Sequence, residues 1–280
     1  MDSFAGLVAV VTGAGGGIGA ALAAEFVAHG CKVALADISR EASEARSEQL
    51  RAQGGDVIAV ETDVTDRRSV ETLAETVQSH YGGVHIVCNN AGVLATGSLM
   101  STDDDVWRRV MDVNFWGVLN GIQAFVPRLI RQGQGGYILN TASLAGLQGV
   151  GGLGAYCASK FAVVGLSESL HKELKPVGIR VSVLCPMVVH TRIAGQADDA
   201  DGEVPGKVLQ DVPQLRHGTV KTPEFVAAQA AKAMLARQFY VFTHEEERDI
   251  LKDRAERLES ACDWLHKTQS AIRAESAVEV

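Results

Sequence analysis

Tyr156 and Lys160 stand four positions apart in Tyr156-Cys157-Ala158-Ser159-Lys160, and Ser143 lies thirteen positions upstream of the tyrosine. On a helix, residues four apart share a face, so this spacing brings a phenol and an ammonium into one cleft. The pairing answers a chemical difficulty. A free tyrosine titrates near ~10 and is a poor base at neutral pH, so something must favour its phenolate. One positive charge at roughly 4 Å, at an effective dielectric of about 20, contributes about 4 kcal/mol, which moves the titration by roughly three pH units. The resulting chemistry is proton transfer at a hydroxyl or carbonyl oxygen.

A second group of residues supplies a place for a cofactor. Thr12-Gly13-Ala14-Gly15-Gly16-Gly17-Ile18-Gly19 follows an apolar run and opens a helical pattern. Glycines in that context let the turn be tight, let backbone approach a pyrophosphate and let the helix pack on the sheet, while the helix N-terminus receives the phosphates. Asp37 comes 18 positions after Gly19, at the end of the next apolar run. A carboxylate there accepts hydrogen bonds from the adenosine ribose hydroxyls and repels a 2′-phosphate. Gly16 and Ile38 offer no cation in compensation, so NAD is expected over NADP. Arg40, three residues past Asp37, is the side chain that could reverse the preference by swinging toward a phosphate.

The elements that must position these residues show in the hydrophobic pattern. Short β-branched runs at Leu7–Val11, Lys32–Ala36, Val57–Val60, Val84–Cys88, Tyr137–Asn140, Ile179–Leu184 and Phe239–Phe242 alternate with helical stretches such as Ala20–His29 and Val70–Tyr81. Helical stretches end near Gly30, Gly54, Gly82 and Gly178. Seven strands in strict alternation with helices imply an α/β fold, a Rossmann-like doubly wound parallel sheet with helices on both faces. The expected organisation is one dinucleotide-binding and catalytic domain over residues 1–243 and a helical extension over 244–280.

Two segments fall outside the alternation. The interval from about 187 to 220, rich in acidic, Gly and Pro residues from Ile193 onward, follows the sixth strand at the mouth where ligands sit. It reads as a substrate lid, with a surface insertion as the alternative. From Glu245 the chain reads as helix, and Leu251, Ala255, Leu258, Cys262 and Leu265 fall at alternating spacings of four and three. That apolar stripe fits a helix docked on its own domain and one packed on a neighbouring subunit. The last dozen residues read as frayed.

At this point the chain resembles the short-chain dehydrogenase/reductase superfamily over about residues 5–192. Thr12, Gly13, Gly17 and Gly19 fit its glycine motif. The resemblance implies that Asp63-Val64 lies beside the adenine and that Asn89-Asn90-Ala91-Gly92 stabilises the sheet and lines the adenosine side. It implies that Asn114 distorts a long helix and holds a water, and that Ser143, Tyr156 and Lys160 complete the catalytic set. Val189 and Thr191 match nicotinamide-side contacts. Where the family usually has Pro-Gly, this chain has Pro186-Met187, a departure that reshapes the substrate side. The cofactor-binding set implied is thus Gly13, Gly17, Ile18, Gly19, Asp37, Ile38, Asp63, Val64, Asn90, Ala91, Gly92, Tyr156, Lys160, Val189 and Thr191. Leu94, Leu144, Leu147, Leu153, Met187 and Val188 are candidate apolar walls, without a fixed cation, for an aryl, alicyclic or steroid-like secondary alcohol or its ketone. The resemblance also implies a dimer or tetramer built on two long helices, around 104–132 and 156–175, whose apolar residues Val113, Val118, Val164, Leu166 and Leu170 suit that interface and core packing equally. A reductase using NADPH and a dinucleotide sensor without turnover are the competing readings.

Composition narrows the classes. At 280 residues and 46% hydrophobic, the chain can bury a full core, and its formal charge of -8 offers no footprint for nucleic acid or an anionic membrane. No apolar run reaches spanning length and no basic leader precedes the first strand, so a cytoplasmic protein is expected. The five cysteines, odd in number and scattered, read as reduced core thiols. The eight histidines form no ligand cluster, so no metal is expected.

Overall fold

The computed structural model describes residues 3–191, 193 and 219–278, with side chains as far as residue 269. Its strands are β1 (Val8–Thr12), β2 (Lys32–Asp37), β3 (Val57–Glu61), β4 (Ile86–Asn89), β5 (Gly136–Thr141), β6 (Ile179–Leu184) and β7 (Tyr240–Val241). They lie in the order β3-β2-β1-β4-β5-β6-β7, and every neighbouring pair is parallel. The helices are α1 (Gly17–Ala28), α2 (Arg40–Ala52), α3 (Arg67–Tyr81), α4 (Asp104–Met111), α5 (Gly117–Gln132), α6 (Gly154–Leu174), α7 (Pro223–Leu235) and α8 (Glu247–Val278). This is the doubly wound, Rossmann-like sheet that the alternation of elements called for.

The strands are apolar on both faces because both faces are covered. Successive residues of β1 go to opposite cores: Val8 and Val10 pack with Leu73, Phe125 and Val164 from α3, α5 and α6. Ala9 and Val11 pack with Leu22, Phe26, Val226 and Ala230 from α1 and α7. Each such Val, Leu or Phe contributes about 1.5–3 kcal/mol by leaving water. The apolar residues of the two long stretches, which suited an interface and the core alike, belong to this core. Val118, Val164 and Leu170 are buried in it, and Val113 and Leu166 pack against it.

Differences at the element ends have local causes. Val84 was expected in β4, yet its backbone pairs with the Gln132 amide, donating N–H to Oε1 at 2.9 Å and accepting from Nε2 at 2.7 Å. β7 is two residues long, pairing with β6 only at Val183 and Leu184. Between α4 and α5 a π-helical turn, Asp112–Trp116, interrupts one long helix, a feature associated with functional sites.

Two compact units result, Met1–His244 and Glu245–Val280. The second contains α8, a single helix of 32 residues. It continues to Val278, where fraying was expected, because Gln269–Val278 contains no Gly or Pro to break it. Four of the five cysteines are buried, as core thiols should be, while Cys262 on α8 is exposed.

Candidate active site

Between β1 and β4 the strand order reverses, and at such switch points open α/β sheets bind ligands beyond the carboxyl ends of their strands. A cleft of ≈ 420 Å³ opens there. Gly13, Gly15, Gly16, Gly17, Ile18, Asp37 and Arg46 line one end, and Asn90, Ala91, Gly92, Thr141, Ala142, Ser143, Tyr156 and Lys160 the other. Pro186, Met187, Val189, Thr191 and Ile193 complete its wall.

The glycine turn is shaped to hold a phosphate. α1 begins at Gly16 with no side-chain cap, leaving its first N–H groups to a ligand. Gly13 has φ +65, and a Cβ there would stand 2.8 Å from Ala91 Cα; one on Gly19 would collide with the Gly13 carbonyl. Asn90 fastens this turn to the middle of the sheet. Its N–H donates to Thr12 Oγ1 at 2.9 Å and its Nδ2 to Thr12 O at 3.1 Å, while its Oδ1 accepts from Thr141 Oγ1 at 3.2 Å. Behind it, Asn89 Nδ2 donates to Asn140 Oδ1 and Asn140 Nδ2 to Ser167 Oγ, both at 2.9 Å. Asn140 and Ser167 escaped the sequence reading. Their signal was an amide amid the apolar β5 run, since buried polar groups require partners.

At the adenosine end, Asp37 is held by the chain around it. Oδ2 accepts from Gly15 N at 2.8 Å and Oδ1 from Ser39 N at 2.9 Å. Arg40 is engaged by Glu44 at 2.7 Å on the exposed surface of α2. The cation lining the cleft is instead Arg46, two turns further along α2 and unnoticed in the sequence. Ile38 is exposed and does not line the cleft. Asp63 and Val64 do not line it either. Asp63 Oδ1 accepts from Thr65 N and Oγ1, and Val64 is buried in the core.

At the opposite end three elements converge. Ser143 leaves β5, its hydroxyl 3.2 Å from the Pro186 carbonyl and in hydrogen-bond contact with the Tyr156 phenol. Tyr156 and Lys160 sit on the first turns of α6, 8% and 2% exposed. The Lys160 ammonium donates to Thr141 O at 2.8 Å and stands 5.6 Å from the Tyr156 ring centre. Burial pushes the phenol up to about 12, against the opposing Ser143 hydrogen bond, and pushes the ammonium down to about 8. Desolvation is the largest cause of both shifts, since each group loses water and the nearest partner of Lys160 is a neutral carbonyl.

Asn114, wholly buried in the π-turn, pairs with the loop after β4 as a strand would. Its Oδ1 accepts from Val93 N at 2.8 Å and its Nδ2 donates to Val93 O at 2.9 Å and to Ser159 Oγ at 3.0 Å. Ser159 in turn donates to Tyr156 O at 2.7 Å. A Cβ on Gly92 would lie 3.3 Å from Asn114 Oδ1 and 3.5 Å from Lys160 Nζ, so the loop, the π-turn and α6 meet at that glycine.

Of the apolar walls expected for a substrate, Met187 lines the cleft. Leu94 and Leu153 pack with Tyr156 and Cys157 behind the phenol, Leu144 is buried, and neither Leu147 nor Val188 lines the cleft. The lid expected over 187–220 lies largely outside the described residues, at 192 and 194–218. Its two ends are tied together: Val189 bridges Lys221, with Lys221 N donating to Val188 O at 3.1 Å and His190 N to Lys221 O at 2.9 Å.

A family model described as short chain dehydrogenase matches residues 7–202. The chain belongs to the short-chain dehydrogenase/reductase family. It is therefore an oxidoreductase of a family that binds a nicotinamide dinucleotide. Among similar proteins, a 1-deoxy-11-beta-hydroxypentalenate dehydrogenase of Streptomyces exfoliatus is 36% identical over 250 residues, 88% of this chain and 86% of the relative. A short-chain dehydrogenase/reductase from Burkholderia phymatum, solved in complex with NAD, superposes with a TM-score of 0.84 at 36% identity, covering 93% of this chain and 97% of that one. The 3-ketoacyl-(acyl-carrier-protein) reductase of Brucella melitensis, complexed with NADH, gives 0.75 at 26% identity, covering 86% and 97%.

Proposed function

We propose that this short-chain dehydrogenase/reductase is an NAD-dependent dehydrogenase that interconverts a hydrophobic secondary alcohol and its ketone. One observation carries the reading: Ser143, Tyr156 and Lys160 share the wall of a cleft whose other end is a glycine turn beside a fixed carboxylate. The turn from Gly13 to Gly19 would hold the pyrophosphate, Asp37 the adenosine ribose, and Val189 and Thr191 the nicotinamide carboxamide. When bound, the oxidised nicotinamide supplies a positive charge and the site that takes the hydride.

Tyr156 then takes the alcohol proton and returns it in the reverse direction, while the Ser143 hydroxyl orients the same oxygen. Because burial, against the Ser143 hydrogen bond, pushes the phenol up to about 12, Tyr156 would rely as a base on positive charge brought into the cleft. Lys160, held against Thr141 O, contributes part of that charge in its protonated form. Asn114 donates both Nδ2 hydrogens, to Val93 O and Ser159 Oγ, and accepts one hydrogen bond at Oδ1, from Val93 N, which leaves a lone pair on Oδ1 for the water that the family resemblance implies. The same bonds would fix the shape of the site.

The substrate reading rests on Met187 and Ile193 in the cleft wall and the apolar cluster behind Tyr156. The name of the Streptomyces relative, a dehydrogenase of a hydroxylated compound, agrees with it. A cytoplasmic setting is part of the same proposal, supported by five free thiols and by the lack of any helix among the described residues long and apolar enough to cross a membrane. Arg46 in the cleft wall favours a second reading, an NADPH-dependent ketone reductase.

The test is formation of reduced nicotinamide from NAD, with NADP in parallel, across aryl, alicyclic and steroid secondary alcohols. Turnover with NAD and one alcohol class is expected. Turnover with NADP alone would establish the second reading, and NAD binding without turnover of any alcohol would sink the first.

A further inference from the structure

Beyond β6 the chain runs into the wall of the cleft, where Pro186, Met187, Val189 and Thr191 stand. Two carbonyls fix its course, one on each side of Met187. The Pro186 carbonyl accepts from Leu144 N at 3.0 Å and from Ser143 Oγ at 3.2 Å, which ties it to the catalytic end. The Val188 carbonyl accepts from Lys221 N at 3.1 Å, and His244 Nε2 stands 3.2 Å from the same oxygen. A carbonyl oxygen only accepts, so Nε2 carries the hydrogen, and the two donors use both lone pairs of that oxygen. The other ring nitrogen, Nδ1, lies 2.8 Å from Thr243 Oγ1, a contact that fixes the orientation of the imidazole.

This side chain takes over where backbone pairing stops. β6 is joined to β7 by Val183 N donating to Phe239 O at 2.7 Å and by Cys185 N donating to Val241 O at 2.9 Å. β7 ends at Val241, and three residues later the ring of His244 reaches the Val188 carbonyl, 56 residues away in sequence. His244 does not itself line the cleft. Its effect on ligands must pass through the segment it holds.

We infer that His244 is a positioning residue for the nicotinamide side of the cleft, setting through the Val188 carbonyl where Met187 and Val189 stand relative to Ser143. The inference rests on the proposed function, in which Val189 and Thr191 meet the nicotinamide carboxamide. Without Nε2 the Val188 carbonyl loses one of its two donors, and the wall is held less closely to Ser143. The glycine turn and Asp37 belong to the opposite end of the cleft, so contacts to the pyrophosphate and the adenosine do not depend on His244.

Calorimetric titration of the full-length protein with NAD and with ADP-ribose, which is NAD without its nicotinamide, tests this without using turnover. His244→Leu should weaken NAD binding about five- to tenfold, the scale of one hydrogen bond, and leave ADP-ribose binding within about twofold of the parent. His244→Gln, whose amide N–H reaches a similar distance from the backbone, should recover most of the loss. Thr243→Val, which frees the ring to turn, should show a smaller loss of the same kind. Far-UV circular dichroism checks that each variant is folded, and Thr243→Val gives the same comparison of ligands if the leucine variant does not fold. Equal loss for the two ligands would make His244 a general prop of the fold. That result, an unchanged ratio, or a glutamine variant no better than leucine would each overturn the inference. A parent protein that binds NAD no better than ADP-ribose would overturn the carboxamide contact and this inference together, whereas absence of alcohol turnover bears on the dehydrogenase reading alone.

Discussion

The two ends of the cleft are held in place by different means. At the catalytic end, Asn114 is 0%, Lys160 2% and Tyr156 8% exposed, and each is fixed by contacts from distant parts of the chain. At the adenosine end, Asp37 is held by Gly15 and Ser39 close around it, Ile38 is 70% exposed, and Arg40 pairs on the surface with Glu44. Burial makes the catalytic end sensitive, since an unmade hydrogen bond or an isolated charge costs much in a dry site. Solvent makes the adenosine end tolerant, because an exposed charge is screened and easily re-paired. On the proposed function, reaction chemistry would be tied to the core and cofactor preference to a few side chains near the surface.

The contrast predicts effects of descending size. Tyr156→Phe keeps the packing and removes the proton carrier, so kcat should fall by roughly 10²–10⁴-fold while NAD affinity, measured by fluorescence titration, stays within about twofold. Substantial residual turnover would remove Tyr156 from its assigned role. Asn114→Ala leaves the Val93 N–H and carbonyl without their partner, and urea unfolding should register a loss of about 2–4 kcal/mol. A loss under about 1 kcal/mol would mean that water replaces the amide and that this end is less dry than its burial implies.

Asp37→Ala should weaken NAD binding by about tenfold, the scale of one hydrogen bond to a charged group, and narrow the preference over NADP. Equal loss for both cofactors would show that the carboxylate shapes the turn without selecting the ribose.

Lys160 offers a check through pH. Its titration is lowered to about 8 in the fold from an ordinary 10.5. Above pH 8 the unfolded chain therefore binds more protons at this group, and its contribution to stability rises with pH. Between pH 8 and 9 the gain should approach about 1 kcal/mol, and Lys160→Met should flatten that slope in urea titrations. An unchanged slope would place the ammonium in better contact with water. The smallest effect belongs to Arg46→Ala, expected to change NADP affinity by about two- to fivefold and NAD affinity less. A larger loss for NADP would move the cofactor preference toward the reductase reading.

Much of this organisation was legible along the chain because it is encoded locally. The glycine turn, the Asp37 strand end and the spacing from Tyr156 to Lys160 each lie within a short stretch governed by a strand or helix period, and the structure gathers Gly13, Gly17, Ile18, Asp37, Asn90, Tyr156 and Lys160 around one cleft. What escaped reading depends on long-range contact. The chain from Asn89 through Asn140 to Ser167 links three elements, and Ser159 joins α6 to the π-turn across 45 residues. Arg46 was invisible for a similar reason, since its place in the cleft depends on how α2 lies against the glycine turn.

By itself, then, the sequence determined which elements form, that they alternate into a parallel sheet, and which side chains could carry a proton or meet a phosphate, because periodicity and glycine placement act over a few residues. Only the tertiary structure decided how far burial shifts the titration of those side chains. An ammonium four residues from a phenol suggests a ready phenolate when only the spacing is known, yet burial raises the phenol to about 12 and lowers the ammonium to about 8. Desolvation is set by everything packed around a group, and a linear sequence does not state what that will be.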